Sequence, residues 1–377
     1  MKCSTTAAAL AAFIASAAAQ SVSGAAEGFA KGVTGGGSAA VVTPSTNEEL
    51  VSYLGDSSPR VILLSKTFDF TGSTTSGSGC APWGTGSGCQ TAINKDDWCG
   101  NYQSSAPATS VTYDEAGLDP IVVGSDKTII GSGSEGVIKG KGLYLTNGAS
   151  NVIIQNIHIT ELNPQYVWGG DAITLAGTDL IWIDHVKTSM IGRQHIVLGE
   201  AASGRVTISN SEIDGTTDWS ATCDNHHYWA LYFTGSQDTI TFKGNYIHGT
   251  SGRAPKVAGN TLLHAVNNYW EDNSGHAFEI SSGAQILAEG NAFSSVKAPI
   301  EDASAGGSIL TINDASAAST CQQSLGRACE VNTLSSSGDF TGTSDTSFMS
   351  NFAGKDVATA EAASAQSIKS GAGVGKI

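Results

Sequence analysis

Short runs of alternating apolar and polar residues recur along this chain. Ile240-x-Phe242-x-Gly244-Asn245-x-Ile247 is followed by Leu263-x-Ala265-x-Asn267-Asn268-x-Trp270 and by Ile286-x-Ala288-x-Gly290-Asn291-x-Phe293. Asn245, Asn268 and Asn291 stand 23 residues apart. Looser copies come earlier, at Val152-x-Ile154-x-Asn156-Ile157-x-Ile159, Ile181-x-Ile183-x-His185-Val186 and Val206-x-Ile208-x-Asn210-Ser211-x-Ile213. Period-two alternation marks strands, and a repeat of roughly 20–35 residues marks a solenoid. One such strand cannot bury its apolar face alone, whereas coils stacked about 4.8 Å apart build a continuous core. Asparagines at one turn of successive coils can join their amides into a hydrogen-bonded ladder. A β-sandwich fits less well, because its strands recur every ~8–12 residues.

Other elements follow from local signals. Thr46-x-x-Glu49 before Leu50, Tyr53 and Leu54 is a capping box and predicts a short helix, placed to cover the open N-terminal end of the solenoid. Val61 to Leu64 is a buried-strand run. Thr71 to Val111 is a Gly- and Ser-rich insertion, too long for a simple connection, and is expected to border a cleft. A helix is expected near Val357–Ile368, in a tail running back along the solenoid. Residues 1–19 read as a signal peptide, with Lys2, an apolar run through Leu10, Phe13 and Ile14, and Ala17-x-Ala19 as the cleavage site. That run is too short to span a membrane, so a secreted, extracellular protein is expected, with residues 20–377 as a single domain.

The leader would remove Cys3 and leave Cys80, Cys89, Cys99, Cys223, Cys321 and Cys329, an even number that points to disulfides in a secreted chain. Six cysteines can pair in 15 ways; Cys321 and Cys329 are close enough to pair with each other, and the other four would tie the 80–99 loop to itself and to Cys223. Their spacing suits zinc poorly. The formal net charge is −15, becoming −16 without Lys2, which argues against nucleic acid and acidic membranes as partners. There is no N-x-S/T sequon.

Against this acidic background, Ser251-Gly-Arg-Ala-Pro-Lys-Val places Arg253 and Lys256 in one turn. Asp171 lies in Trp168-Gly-Gly-Asp, Asp184 and His185 in Trp-Ile-Asp-His-Val, and Arg193 in Ile-Gly-Arg. In a solenoid, residues of equal coil phase stand side by side, so Asp171, Arg193 and Arg253 are expected at strand edges of neighbouring coils on one face. A single surface arginine is ordinarily a solvated charge; Gly192 and Gly252 before the two arginines make this pair less ordinary. Asp184 and His185, inside an apolar strand, read as structural hydrogen-bonding groups, and His226 and His227 read as loop residues, since adjacent strand residues face opposite ways.

Together Trp-Ile-Asp-His-Val (182–186), Gly-Gly-Asp-Ala-Ile (169–173), Ile-Gly-Arg (191–193) and Ser-Gly-Arg-Ala-Pro-Lys-Val (251–257) resemble the fungal pectin lyases, of the pectate/pectin lyase superfamily. The resemblance runs from the leader to at least Cys329. It implies an all-β fold, a right-handed parallel β-helix with long cleft-forming loops, and β-elimination of methyl-esterified galacturonan. It also implies that Arg253 abstracts the proton at C5, that Arg193 stands where calcium-dependent pectate lyases use a carboxylate ligand, and that Asp171 and Lys256 match functional positions of the cleft. The implied disulfides are Cys80–Cys99, Cys89–Cys223 and Cys321–Cys329. Trp83, Trp98, Trp168 and Trp229 would line the subsites, and Tyr102 and Tyr232 stand where some relatives carry Trp. The expected partner is pectin, the expected state a monomer, and no metal or cofactor is expected.

The chemistry is consistent with these residues. Removing H5 places charge on the C6 carbonyl, and Arg193 and Lys256 are cations suited to an enolate oxygen. An arginine rarely serves as a base; crowding by Arg193 and Lys256 is expected to favour a neutral Arg253. A calcium-dependent pectate lyase, a polygalacturonase and a non-catalytic carbohydrate-binding β-helix are the rival readings. The strands carry no paired-Asp motif of the kind hydrolysis needs.

Overall fold

The computed structural model describes residues 21–301 and 306–377; the expected signal peptide lies outside the described residues. The repeat forms parallel coils. A first sheet of ten strands runs from Val41–Val42 to Ser308–Thr311. A second begins at Thr67–Asp69 and reaches Thr333–Ser335, and a third begins at Ile121–Val123 and passes through Ile173–Ala176, Ile196–Leu198, Leu231–Phe233 and Lys256–Val257. The long strand Tyr269–Ile280 belongs to both the second and the third. The pairings along these three sheets are parallel, with the register kept from coil to coil in the first sheet and shifted between Asn273 and His276 where Tyr269–Ile280 meets the next strand.

Between the first and second sheets each coil turns on one residue in the left-handed region: Asn156, His185, Asn210, Gly244, Asn267 and Gly290, with φ between 46° and 68°. Glycine meets this demand without steric cost, and asparagine tolerates it better than most residues. His185 is therefore a corner residue following the strand Asp179–Asp184, not a residue within a strand. Directly after the corner comes the ladder. Asn245 donates to Asn268 Oδ1 at 2.9 Å, Asn268 to Asn291 Oδ1 at 3.1 Å, and Asn291 to Asn332 Oδ1 at 3.0 Å. Each amide also donates to a main-chain carbonyl of its stack. Asn332 extends the predicted ladder by one rung.

Inside, the alternating residues form one apolar core from Leu50 to Phe340. Trp270 and Phe293 stack at 4.8 Å between ring centroids, and Phe340 closes over Phe293 at 4.7 Å. The predicted helix spans Asn47–Gly55, and Leu50 and Leu54 are fully buried against the first coils. Thr46 Oγ1 accepts from Glu49 N at 3.2 Å, and the Glu49 carboxylate turns back to the main-chain N–H groups of Ser45 and Thr46, as the capping box predicts. The tail runs back along the corner: Glu361 N donates to Asn267 Oδ1, Gly373 N to the Asn210 carbonyl and Gly375 N to Asn156 Oδ1. Its helix is Ala365–Gly371, shorter and later than the predicted 357–368; residues 357–364 have no helical structure.

The insertion folds as an antiparallel pair, Thr74–Cys80 with Ala108–Asp114, beside the short strand Thr91–Ile93. Three disulfides are formed, Cys80–Cys99, Cys89–Cys223 and Cys321–Cys329. The second fastens the insertion to the loop before Trp229. Among the described residues no helix is long and apolar enough to cross a membrane.

Candidate active site: a cationic corner under an aromatic wall

The approaches to successive strands of the third sheet carry the candidate residues. Asp171 precedes Ile173–Ala176, Arg193 precedes Ile196–Leu198, Trp229 precedes Leu231–Phe233, and Arg253 precedes Lys256–Val257. The coil of Trp229 lies between those of the two arginines, so Arg193 and Arg253 share one corner without being on neighbouring coils.

Arg193 lies with its guanidinium carbon 4.0 Å from the Trp168 ring centroid and a nitrogen 3.8 Å from Asp171 Oδ2. Burial pushes its pKa down, the Asp171 charge opposes that, and Arg253 adds to it. Asp171 is shifted upward by burial, against the Arg193 charge and a 2.8 Å hydrogen bond from Gln194 N. Lys95, from the insertion, joins Asp171, Arg193, Leu118, Pro120 and Tyr144 around a cavity of about 240 Å³.

Arg253 has φ 44° and faces three rings, with its guanidinium carbon 4.9 Å from the Trp229 centroid, 5.3 Å from Tyr232 and 5.7 Å from Tyr228. Such contacts favour a cation over an aromatic face. The rings continue outward: Trp229 meets Trp83 at 5.8 Å, Trp83 meets Trp98 at 6.3 Å, and Trp98 meets both Trp168 at 6.0 Å and Tyr102 at 6.4 Å. Of the six aromatic residues expected from the sequence, Trp168, Trp229 and Tyr232 face an arginine, and Trp83, Trp98 and Tyr102 connect to them through ring contacts. Tyr102 is the most open, at 73% exposure.

Four side chains that the sequence did not assign to this site hold the arrangement. Glu279 accepts from Arg253 Nε at 3.2 Å and pairs with Lys256 Nζ. Burial pushes its carboxyl up, but the contacts with His276 and Lys256 and the Arg253 charge bring it down to about 2. The expected crowding of Arg253 by Lys256 is thereby corrected: a carboxylate stands between the two cations. His276 Nε2 accepts the Arg253 main-chain N–H at 3.4 Å. The repeat held a signal for both residues, since 253 and 256 plus the 23-residue period of the asparagines give 276 and 279.

The third is Gln90, fully buried, which donates to the carbonyls of Pro164 and Gly192 at 2.9 Å each and accepts from Trp229 Nε1 at 3.1 Å. The fourth is His227, a loop residue as expected but a buried one; its Nε2 donates to the Arg193 carbonyl at 2.6 Å, and burial lowers its pKa to about 4. His226, by contrast, lies near the carboxylates of Asp224 and Asp272.

Asp184 and His185 do not join the arginines. Asp184 accepts from Gln155, Ser209, Asn210 and His185, as a structural group would. His185 lines a separate depression under the tail with Lys243 and Glu361.

Among the described residues two sets of donors lie close enough to hold a cation, Glu212, Asp214 and His248, and His276, Glu279 and Glu301. Lys187 Nζ sits 3.0 Å from both carboxylates of the first set. Lys256 and Arg253 engage Glu279 in the second. Protein cations thus already engage Glu212, Asp214 and Glu279, while Glu301 meets His276.

The two arginines and the aromatic wall thus meet at one corner of a parallel β-helix. The Pectate lyase family model matches residues 1–377, and the chain belongs to the pectate lyase family. It is 62% identical to a probable pectin lyase A of Aspergillus oryzae over 361 residues, 95% of each chain. It is also 62% identical to pectin lyase B of Emericella nidulans over 367 residues, 96% of each. Among solved structures it is similar to a pectate lyase from Bacillus sp. N165 in complex with trigalacturonate, with a TM-score of 0.59 and 18% identity over 93% of this chain and 99% of that one. A pectate lyase from Acidovorax avenae subsp. citrulli gives a TM-score of 0.58 at 17% identity over 95% and 96%. At that identity these structures speak to the fold, a right-handed parallel β-helix.

Proposed function

We propose that this chain is a secreted pectin lyase, acting within methyl-esterified α-1,4-galacturonan by β-elimination and without calcium. The observation that carries the reading is the pair Arg193 and Arg253 at one corner of the third sheet, each against a tryptophan of a single aromatic wall. The names of the relatives support the substrate class. The rings offer flat apolar faces to sugar rings and their ester methyl groups, and the arginines offer fixed charge where negative charge develops.

In this reading Arg253 reacts in its neutral form, takes H5, and becomes the guanidinium that Glu279 and the rings stabilise. The electron pair of the broken C5–H bond delocalises onto the C6 carbonyl oxygen as an enolate. It then forms the C4=C5 double bond as the C4–O bond breaks; the departing oxygen takes a proton from water, and Arg253 returns the proton it took to solvent. An ester stabilises the carbanion better than a carboxylate does, so no metal is needed to neutralise it. Arg193 faces the developing oxygen charge, and Asp171 holds Arg193 at the cavity wall. Lys256, paired with Glu279, orients Arg253 more than it contacts the enolate.

The test follows the ultraviolet absorbance of the unsaturated product on highly esterified pectin with a chelator present. Undiminished absorbance growth is expected. Loss of activity in chelator, restored by calcium, would assign the protein to the calcium-dependent pectate lyases instead.

A further inference from the structure

We propose that His276 and Glu279 are positioning residues that lock Arg253 in its reacting pose from the next coil of the solenoid; the proposal rests on Arg253 acting in the elimination, as read above. Arg253 sits in a turn with left-handed φ, where backbone conformation alone holds a long side chain weakly. Two contacts from the strand Tyr269–Ile280 remove that freedom. The Arg253 N–H donates to His276 Nε2 at 3.4 Å, fixing the peptide, and Arg253 Nε donates to Glu279 Oε2 at 3.2 Å, fixing the guanidinium edge. The other Glu279 oxygen takes Lys256 Nζ, so one carboxylate sets the spacing of both cations. His276 Nε2 also lies 3.6 Å from Glu279 Oε2, its Nδ1 faces Glu301 Oε1 at 3.5 Å, and the ring packs edge-on against Tyr228 at 5.7 Å. His276 is 8% exposed.

Neither residue needs to touch substrate. Misplacing a reacting group by about 1 Å can cost on the order of 10²-fold in rate, and this pair governs that placement for Arg253. A residue that only stabilised the fold would lower the melting temperature and the fraction of active protein, leaving the kcat of the folded fraction unchanged.

The test measures kcat and KM on highly esterified pectin for Glu279→Gln, His276→Leu and His276→Gln, normalised to folded protein by near-ultraviolet circular dichroism. Glu279→Gln keeps the shape but turns a donor toward Lys256. It is expected to lower kcat at least ~10-fold with KM within about twofold. His276→Leu removes the acceptor and is expected to do the same, whereas His276→Gln offers a carbonyl oxygen in its place and should recover most of that loss. A kcat within about twofold of the parent for Glu279→Gln would overturn the proposal, as would equal losses for the Leu and Gln variants at 276. If His276→Leu does not fold, Glu279→Gln decides alone. Arg253→Lys in the same assay separates the two ideas: if it too keeps its kcat, the role of Arg253 has failed, and if it alone loses activity, only the positioning has failed.

Discussion

At the scale of single residues, the site turns on what an arginine supplies that a lysine does not. Lysine keeps the charge but loses the planar fork and the rigid reach. At position 253 the fork has defined work, since Nε meets Glu279 while the delocalised plane faces Trp229, Tyr232 and Tyr228. If Arg253 only attracted substrate, Arg253→Lys would raise KM and spare turnover. A proton acceptor must lie within hydrogen-bond reach of H5, so kcat is expected to fall at least ~10²-fold for both Lys and Ala. Folding should be spared, because the turn is held by main-chain bonds from Leu231 N to the Arg253 carbonyl and from Ala254 N to the Ala277 carbonyl. Turnover of Arg253→Lys at saturating esterified pectin checks this, and a near-parental kcat would remove Arg253 as the base.

At the scale of the element, the ladder links sequence pattern to stability. Asn268 Oδ1 accepts from both the main-chain and side-chain nitrogens of Asn245, and its amide donates to the Phe242 carbonyl and to Asn291. Asn268→Ala leaves these fully buried partners unmatched, at a cost of at least about 1–3 kcal/mol. Thermal unfolding should shift downward while kcat and KM of the folded enzyme hold; an unchanged melting temperature would sink the ladder as a source of stability. The ladder was legible because its 23-residue spacing is constant over three coils. Its fourth rung was not, because the chain between Asn291 and Asn332 carries the loop and helices around the Cys321–Cys329 disulfide. His276 and Glu279 were missed for a different reason. Within Tyr269–Ile280 they read as ordinary polar positions of an alternating strand, and their partners appear only when the repeat period is applied to the turn as well as to the asparagines. Gln90 and His227 left no such trace, since nothing periodic relates the insertion to Gly192 or the 226–229 loop to Arg193. Equally, a corner residue such as His185 looks like part of its strand until the left-handed φ of its counterparts is seen.

At the scale of the whole molecule, two electric fields compete over the substrate. The formal charge of −15 repels a polyanion at long range, while Arg193, Arg253, Lys256 and Lys95 would attract it locally. The local attraction is largely cancelled. Asp171 faces Arg193, Glu279 faces both Arg253 and Lys256, and Glu301, Asp224 and Asp272 lie around His276 and His226 on the same side. The global field should therefore decide encounter. Esterification removes the substrate's charge, so kcat/KM on highly esterified pectin should be nearly independent of salt. De-esterified polymer must approach against repulsion that is screened over about 10 Å at 0.1 M ionic strength and about 30 Å at 0.01 M. Raising ionic strength from about 0.01 to about 0.2 M should then increase the low-ester kcat/KM several-fold. Initial rates on the two polymers across that range check the argument. A low-ester rate that falls with salt would mean that the arginine corner attracts polyanions outright, and that selection of the ester rests on the elimination chemistry alone.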